Sequence, residues 1–300
     1  METGRPLKIT LAGFGEVGQA FAPALVKQGA ELRVYHPRPR PAAREAAAAI
    51  GMAIDAQPQA AFGDADIILS VVPGTAALAI ARAAAQSAGP HALFVDLTSA
   101  SPRDIRASAA LFPGDRYVDG AIMGAISIHA HATPVLLAGA AAPQVQARLA
   151  PLGFRLRSIA GGQPGDASTL KLLRSVFTKG IDALVMEFML AAEAAGLRRE
   201  VLEELADKDR SPLSELIAMN VRTHAAHAAR RLHEVEAVQE TLAGLNVPLI
   251  LLPAVRERYR RSVEVFGEHA EVPLVPDAGS VFDVIVPWML AAERKASDPQ

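Results

Sequence analysis

Lys171, Ser175 and Lys179 recur at intervals of four, so a helix containing them carries all three on one strip. They fall within residues 165–196, GDASTLKLLRSVFTKGIDALVMEFMLAAEAAG, where Leu170, Leu172, Leu173, Val176, Phe177, Ile181, Leu184, Val185, Met186, Phe188 and Leu190 surround them. A helix that is apolar on every side is expected to be buried, and buried charge is costly unless it is paired or put to use. Asp166 or Ser168 can cap its start and Gly196 can end it. A second set of residues points to phosphate chemistry. The six residues Gly13, Phe14, Gly15, Glu16, Val17 and Gly18 follow the apolar run 7–12 and precede a helical stretch, 19–28. In that setting Gly13 allows the tight turn, Gly15 lets backbone approach a pyrophosphate, and Gly18 allows close helix packing. The helix start then turns its free N–H groups toward the phosphates.

The residues after the second strand, 31–35, bear on which dinucleotide is bound. His36, Arg38 and Arg40 stand on a proline-stiffened loop, with no Asp or Glu to take a ribose 2′-hydroxyl. Guanidinium groups bind phosphate bidentately, so the loop suits the 2′-phosphate of NADP better than NAD. Further strands are expected at 66–72, 93–96, 117–119, 134–139 and 154–159, alternating with helices. That alternation implies an α/β fold, a Rossmann-type doubly wound and mainly parallel sheet. Its ligand lies beyond the carboxyl ends of the strands, which directs Val72 and Pro73, Thr98 and Ser99, and residues 120–124 toward the nicotinamide. After residue 196 the chain reads as helical over 198–206, 212–229, 235–244, 248–265 and 282–293. The expected domains are thus a cofactor-binding domain, 1–164, and an all-α domain, 165–300, joined through the long helix.

Composition narrows the function classes. A net charge of −2 gives no electrostatic case for nucleic acid or an anionic membrane. The absence of cysteine excludes disulfides, zinc-thiolate sites and thiol nucleophiles. No apolar run reaches the roughly 20 residues that span a bilayer, and METGRPLK has no signal-peptide core, so a soluble cytoplasmic protein is expected. Only six of the 30 basic residues are lysine, which makes two on one apolar helix more notable.

Four motifs, in order, resemble the β-hydroxyacid dehydrogenase superfamily, which includes 6-phosphogluconate and 3-hydroxyisobutyrate dehydrogenases. These are the glycine loop 13–18, the segment 96–99 (DLTS) with Pro102, the segment 119–125 (DGAIMGA), and Gly165 followed by 171–175 (KLLRS). The version with DGAIMG and RSVFTKG resembles an uncharacterised branch with a C-terminal domain of unknown function. The resemblance implies substrate-binding residues at Asp119, Met123, Gly124 and Ala125, catalytic residues at Lys171 and Ser175, and a homodimer. It implies NADP-dependent hydride transfer to or from a small hydroxy or keto acid, with Lys171 as general acid/base. A lysine is a poor base at its ordinary pKa near 10.4, and burial lowers it toward the working range. Two positions depart from the family pattern: Met123 replaces its Ser and Ser175 its Asn. Lys179 is assigned to structure, paired with Asp182.

Two rival functions stay open: an imine reductase, a class of the same fold that usually lacks this lysine, and an NADP-binding protein without catalysis. In the helical half, His227 and Arg231 either meet an anionic substrate or, with Arg230 and Glu234, form an ordinary exposed helix face. The face is the better supported by periodicity. A zinc site at His224 and His227 lacks a third ligand, so no metal is expected. His129 and His131 follow the substrate segment without an assignable role.

Overall fold

The computed structural model describes residues 5–277 and 279–297. It divides into two compact units, Met1–Val176 and Phe177–Gln300.

The first unit is built on eight strands: β1 (Lys8–Ala12), β2 (Glu31–Tyr35), β3 (Ile54–Asp55), β4 (Ile67–Ser70), β5 (Leu93–Asp96), β6 (Tyr117–Ile122), β7 (Val135–Ala138) and β8 (Leu156–Ser158). They form one sheet in the order β3-β2-β1-β4-β5-β6-β7-β8. Only the β6–β7 pair is antiparallel. Connecting helices are α1 (Glu16–Lys27), α2 (Pro41–Ala49), α3 (Pro58–Phe62), α4 (Ala77–Ser87), α5 (Pro102–Ala109), α6 (Ile126–His129) and α7 (Ala142–Leu149). The expected doubly wound α/β architecture is therefore present.

Both faces of the sheet are covered, and successive residues of each strand supply the two cores. In β4, Ile67 and Leu69 join Phe21, Leu25, Val95, Val118 and Leu137 on one face. Ile68 joins Phe62, Ala81, Phe94, Ile105 and Tyr117 on the other. Phe21 and Phe94 are wholly buried, and burial of each contributes about 1.5–3 kcal/mol. The chain leaves β1 toward β2 and then crosses back to β4, so the order reverses between β1 and β4. At such a reversal the loops after the two strands part and leave a crevice. Here those loops are the glycine turn after Ala12 and the segment that follows Ser70.

Helix α8 (Asp166–Ala194) has 29 residues and is about 43 Å long. It ends as expected: Gly196 adopts φ +73°, with Leu197 N–H donating to Ala192 O and Gly196 N–H to Glu193 O, 3.0 Å each. Its surroundings differ from the expectation. Within the single chain the helix is not buried all round: Val176 is 74% exposed, Leu173 66% and Met186 56%. Periodicity reports which side chains are apolar but not what covers them.

The second unit is helical: α9 (Arg198–Glu204), α10 (Leu213–His224), α11 (Ala228–Ala243), α12 (Leu251–Phe266) and α13 (Ser280–Ser297). Its core joins Ala218, Val281 and Ile285, and Phe266 stacks on Trp288 at 5.1 Å. The helix expected to run through 229 breaks after His224 and restarts at Ala228. Glu187 of α8 accepts the N–H groups of Ile250, Leu251 and Leu252 at 2.5, 2.7 and 2.9 Å. That carboxylate serves as the cap α12 lacks in its own sequence. No helix among the described residues is long and apolar enough to cross a membrane.

Candidate active site

The three glycines behind β1 act as their spacing predicts. Gly13 has φ +106°, and a Cβ there would lie 2.9 Å from Val72 Cγ1. A Cβ on Gly18 would lie 2.6 Å from Gly13 O, so α1 can dock on the turn only without a side chain. Gly15 faces open space, with no atom within 4 Å of a built Cβ. Gly15 is the N-cap of α1 and supplies no side-chain cap, so the first N–H groups of the helix remain available to an anion. Gly13 and Gly15, but not Gly18, line a cavity of about 810 Å³ together with Phe14, Glu16, Val17, His36, Arg38, Arg40, Val72 and Pro73. His36 Nδ1 accepts the Arg38 N–H at 3.1 Å, which folds the basic loop back on itself. Burial, assisted by the charge of Arg40, holds the His36 imidazole below its ordinary pKa and favours the neutral ring that accepts this bond. The donors and the space fit a dinucleotide.

Glu16, Val17, Val71, Val72 and Pro73 also border a second cleft of about 500 Å³, so the two form one trough. The second cleft brings together Thr98, Ser99, Met123, Gly124, Lys171 and Ser175, all expected at the site. Asp96 does not line it. Wholly buried, Asp96 accepts the Thr98 N–H at 3.0 Å and the Tyr117 hydroxyl at 2.7 Å. It thereby fixes the turn that presents Thr98 and Ser99. Gly74 packs against the same turn, where a Cβ would fall 2.9 Å from Ala100 N. Burial lowers the pKa of Lys171 from its ordinary range, and the charge of Asp119 works in the opposite direction.

Asp119 itself requires a correction. It is wholly buried and absent from the residues lining the cleft. Its Oδ2 accepts the N–H groups of Gly165 and Ser168 at 2.9 and 3.0 Å, and its Oδ1 accepts the Ser168 hydroxyl at 2.7 Å. Rather than holding substrate, the carboxylate caps α8 from strand β6. The cap expected from Asp166 or Ser168 is likewise replaced: Asp166 bonds back to the Gln163 N–H at 2.8 Å, and Ser168 is a donor. Burial lifts the pKa of Asp119, against the three hydrogen bonds that favour its ionised form.

Ala125 is also outside the cleft lining; it is the N-cap of α6. His131 packs on Phe154 with ring centres 5.8 Å apart, and neither it nor His129 lines the cleft. No ion pair links Lys179 to Asp182 among the described residues. In the second unit Arg230 pairs with Glu234, as an exposed helix face would, and Arg231 donates to Thr223 Oγ1 at 2.8 Å. His227 is the N-cap of α11, not a member of the helical face inferred for it. His224 bonds to Ser262 Oγ at 2.8 Å and stacks on Tyr259. Arg174 and Ile126 line the cleft without having been singled out from sequence. Of these, Arg174 was recoverable, since it follows Lys171 by three and so shares its helix face.

Residues 8–152 match the model for the NAD binding domain of 6-phosphogluconate dehydrogenase, and residues 192–262 match a domain of unknown function, DUF1932. The first segment is thus a 6-phosphogluconate-dehydrogenase-type NAD-binding domain. This pairing of domains is the one the sequence motifs resembled. Among solved structures, the chain is similar to a conserved protein of unknown function described as structurally similar to 3-hydroxyacid dehydrogenases. Identity is 28%, over 86% of this chain and 97% of that one, with a TM-score of 0.62. A conserved hypothetical protein from Sinorhizobium meliloti 1021 is also 28% identical, over 96% of each chain, with a TM-score of 0.60. An imine reductase from Myxococcus stipitatus, solved with NAD+, shares the fold at a TM-score of 0.75. It is 19% identical, with 89% of this chain and 96% of that one covered. Residues 8–152 thus give the chain an NAD(P)-binding domain.

Proposed function

We propose that the protein is an NADP-dependent oxidoreductase acting on a CH–OH group, interconverting a hydroxy acid and its oxo form. The observation that carries this reading is Lys171, half-buried in the cleft that continues the dinucleotide trough. Bound NADP supplies or accepts the hydride. In oxidation Lys171 Nζ takes the proton from the substrate hydroxyl, and in reduction it returns it. Burial lowers the Lys171 pKa and so favours the amine form that takes up the proton, while the charge of Asp119 opposes that shift. Ser175, one turn further along α8, hydrogen-bonds the same substrate oxygen. Arg38 and Arg40 favour NADP through its 2′-phosphate. In this reading residues 1–164 bind cofactor, and residues 165–300 provide Lys171, Ser175 and the contacts of a homodimer in the cytoplasm. The exposed apolar side chains of α8 support the dimer.

Imine reduction is the second reading, favoured by the likeness in fold to an imine reductase. Lys171 separates the two, because a hydroxyl oxidation needs a base at that place. The test is a panel of hydroxy acids with NADP and NAD, beside cyclic imines with NADPH, for the wild type and Lys171→Met. The expected result is turnover of hydroxy acids with NADP, reduced by about 10²–10⁴-fold in Lys171→Met with NADPH affinity kept. Imine turnover unaffected by Lys171→Met, with none on the acids, would replace this reading by the second.

A further inference from the structure

We infer that Arg174 is the substrate's carboxylate receptor and that the substrate is a hydroxy acid with an apolar body. This inference rests on the hydroxy-acid reading above and makes it more specific. Arg174 lines the reaction cleft with Lys171 and Ser175. It is exposed, and among the described residues it has no hydrogen bond or ion pair. Glu16, the one carboxylate lining the cleft, makes no ion pair with it either. Several other arginines are engaged among the described residues: Arg33 with Asp64, Arg230 with Glu234, Arg258 and Arg261 with Glu293. An arginine left free beside an amine and a hydroxyl is set for an anion arriving from solution.

Spacing then assigns the parts of that anion. Residues at i and i+3, or i and i+4, stand side by side on a helix. The groups of Arg174 and Ser175 therefore flank that of Lys171. A substrate carboxylate gripped by the planar guanidinium leaves its hydroxyl, one or two carbons away, to Lys171 and Ser175. A fork with two parallel N–H donors fixes the orientation of the acid, which a single ammonium does not. Beside the polar groups of Glu16, Thr98 and Ser99, one part of the cleft wall is apolar, built from Val71, Val72, Leu97, Ile122, Met123 and Ile126. Leu97 and Ile122 are buried, so this wall is anchored in the sheet. A polar substituent there would lose water without gaining a partner, whereas an alkyl or aryl group gains about 0.8 kcal/mol per buried CH₂.

The experiment compares 3-hydroxy-3-phenylpropanoate, 3-hydroxypropanoate and the methyl ester of each, oxidised with NADP by the full-length wild type, Arg174→Gln and Arg174→Lys. The expected result is a KM for the acids raised on the order of 10- to 100-fold in Arg174→Gln, and by less in Arg174→Lys. The KM for NADP stays within about 2-fold, and the esters, slow with wild type, are unaffected by either variant. The phenyl acid should be preferred to the unsubstituted one in kcat/KM. Wild-type turnover of acids with an unchanged KM in Arg174→Gln overturns this inference and leaves the hydroxy-acid reading standing. Preference for 3-hydroxypropanoate overturns the apolar body. No turnover of either acid by wild type removes both the reading and the inference built on it.

Discussion

Removing the carboxylate of Asp119 tests whether the helix that carries Lys171 is held from the sheet. Its three hydrogen bonds run from the Gly165 and Ser168 N–H groups and the Ser168 hydroxyl. In Asp119→Ala the hydroxyl can rotate to another acceptor, but the two N–H groups cannot, because they point out of the first turn of α8. Each buried donor left unpaired costs about 1–3 kcal/mol. Relief of a buried carboxylate returns part of that, so the expected loss is about 2–4 kcal/mol. At about 2–4 °C per kcal/mol for a domain of this size, the melting temperature falls by roughly 5–15 °C. Asp119→Asn is the control. Its amide oxygen can accept both N–H groups, as Oδ2 does now, and its NH₂ can donate to Ser168 Oγ, so the melting temperature should stay near wild type. The amide also removes a charge that raises the pKa of Lys171. Burial then acts unopposed, and the pH at which oxidation reaches half its maximum rate moves down. Thermal unfolding and pH–rate profiles measure both effects. Asp119→Ala with unchanged melting and a raised substrate KM would refute the capping role and restore Asp119 as a substrate ligand.

Gly15 and Gly18 should separate by phenotype. Gly15→Ala places a methyl group in open space, so the free protein melts as wild type while calorimetry shows NADPH affinity lost by about 10-fold or more. Gly18→Ala drives a methyl against Gly13 O and should cost about 1–3 kcal/mol in denaturant unfolding as well as affinity. Replacing Arg38 and Arg40 together by Ala should weaken NADPH about 10- to 100-fold and leave NADH within about 2-fold; equal losses for both would refute the 2′-phosphate assignment. Lys171→Met should not destabilise the protein at neutral pH. A lysine whose folded pKa is depressed contributes stability only above its unfolded pKa near 10.4 and loses it as pH falls through the folded value. A lower melting temperature for Lys171→Met at pH 7 than for wild type would contradict that sign.

The cofactor half was legible because its requirements are backbone requirements. Gly13 needs a positive φ and Gly18 the absence of a Cβ, and only glycine meets either, so residue type alone carried the information. The β4 run, DIILSVV, was legible because a strand covered on both faces is apolar at nearly every position. The antiparallel β6–β7 pairing was not, since strand direction leaves no trace in a two-residue period. Nor was the break between α10 and α11, where Ala225, Ala226 and His227 include neither Gly nor Pro. In the site, Lys171, Ser175, Thr98, Ser99 and Met123 line one cleft, while Asp119 lies outside that lining and accepts from the first turn of α8. A carboxylate in a motif shows that something needs an acceptor; it does not show whether that is a ligand or a helix end 46 residues away.

That distinction also bears on the surroundings of Lys171, which stands half-buried in the cleft. Asp96 and Asp119 are direct neighbours on β5 and β6, and both are wholly buried. Asp96 organises the turn bearing Thr98 and Ser99, while Asp119 organises the first turn of α8. Two adjacent strand residues thus register the loop beside the trough against the helix bearing Lys171. The acids cost burial energy, which three donors to Asp119 and two to Asp96 offset. What they secure is the distance between Lys171 and the Thr98–Ser99 turn, and proton transfer depends on such distances steeply. Asp119 further opposes, through its charge, the fall in pKa that burial imposes on Lys171. The same side chain therefore both anchors the helix that carries Lys171 and opposes the larger effect of burial on its pKa.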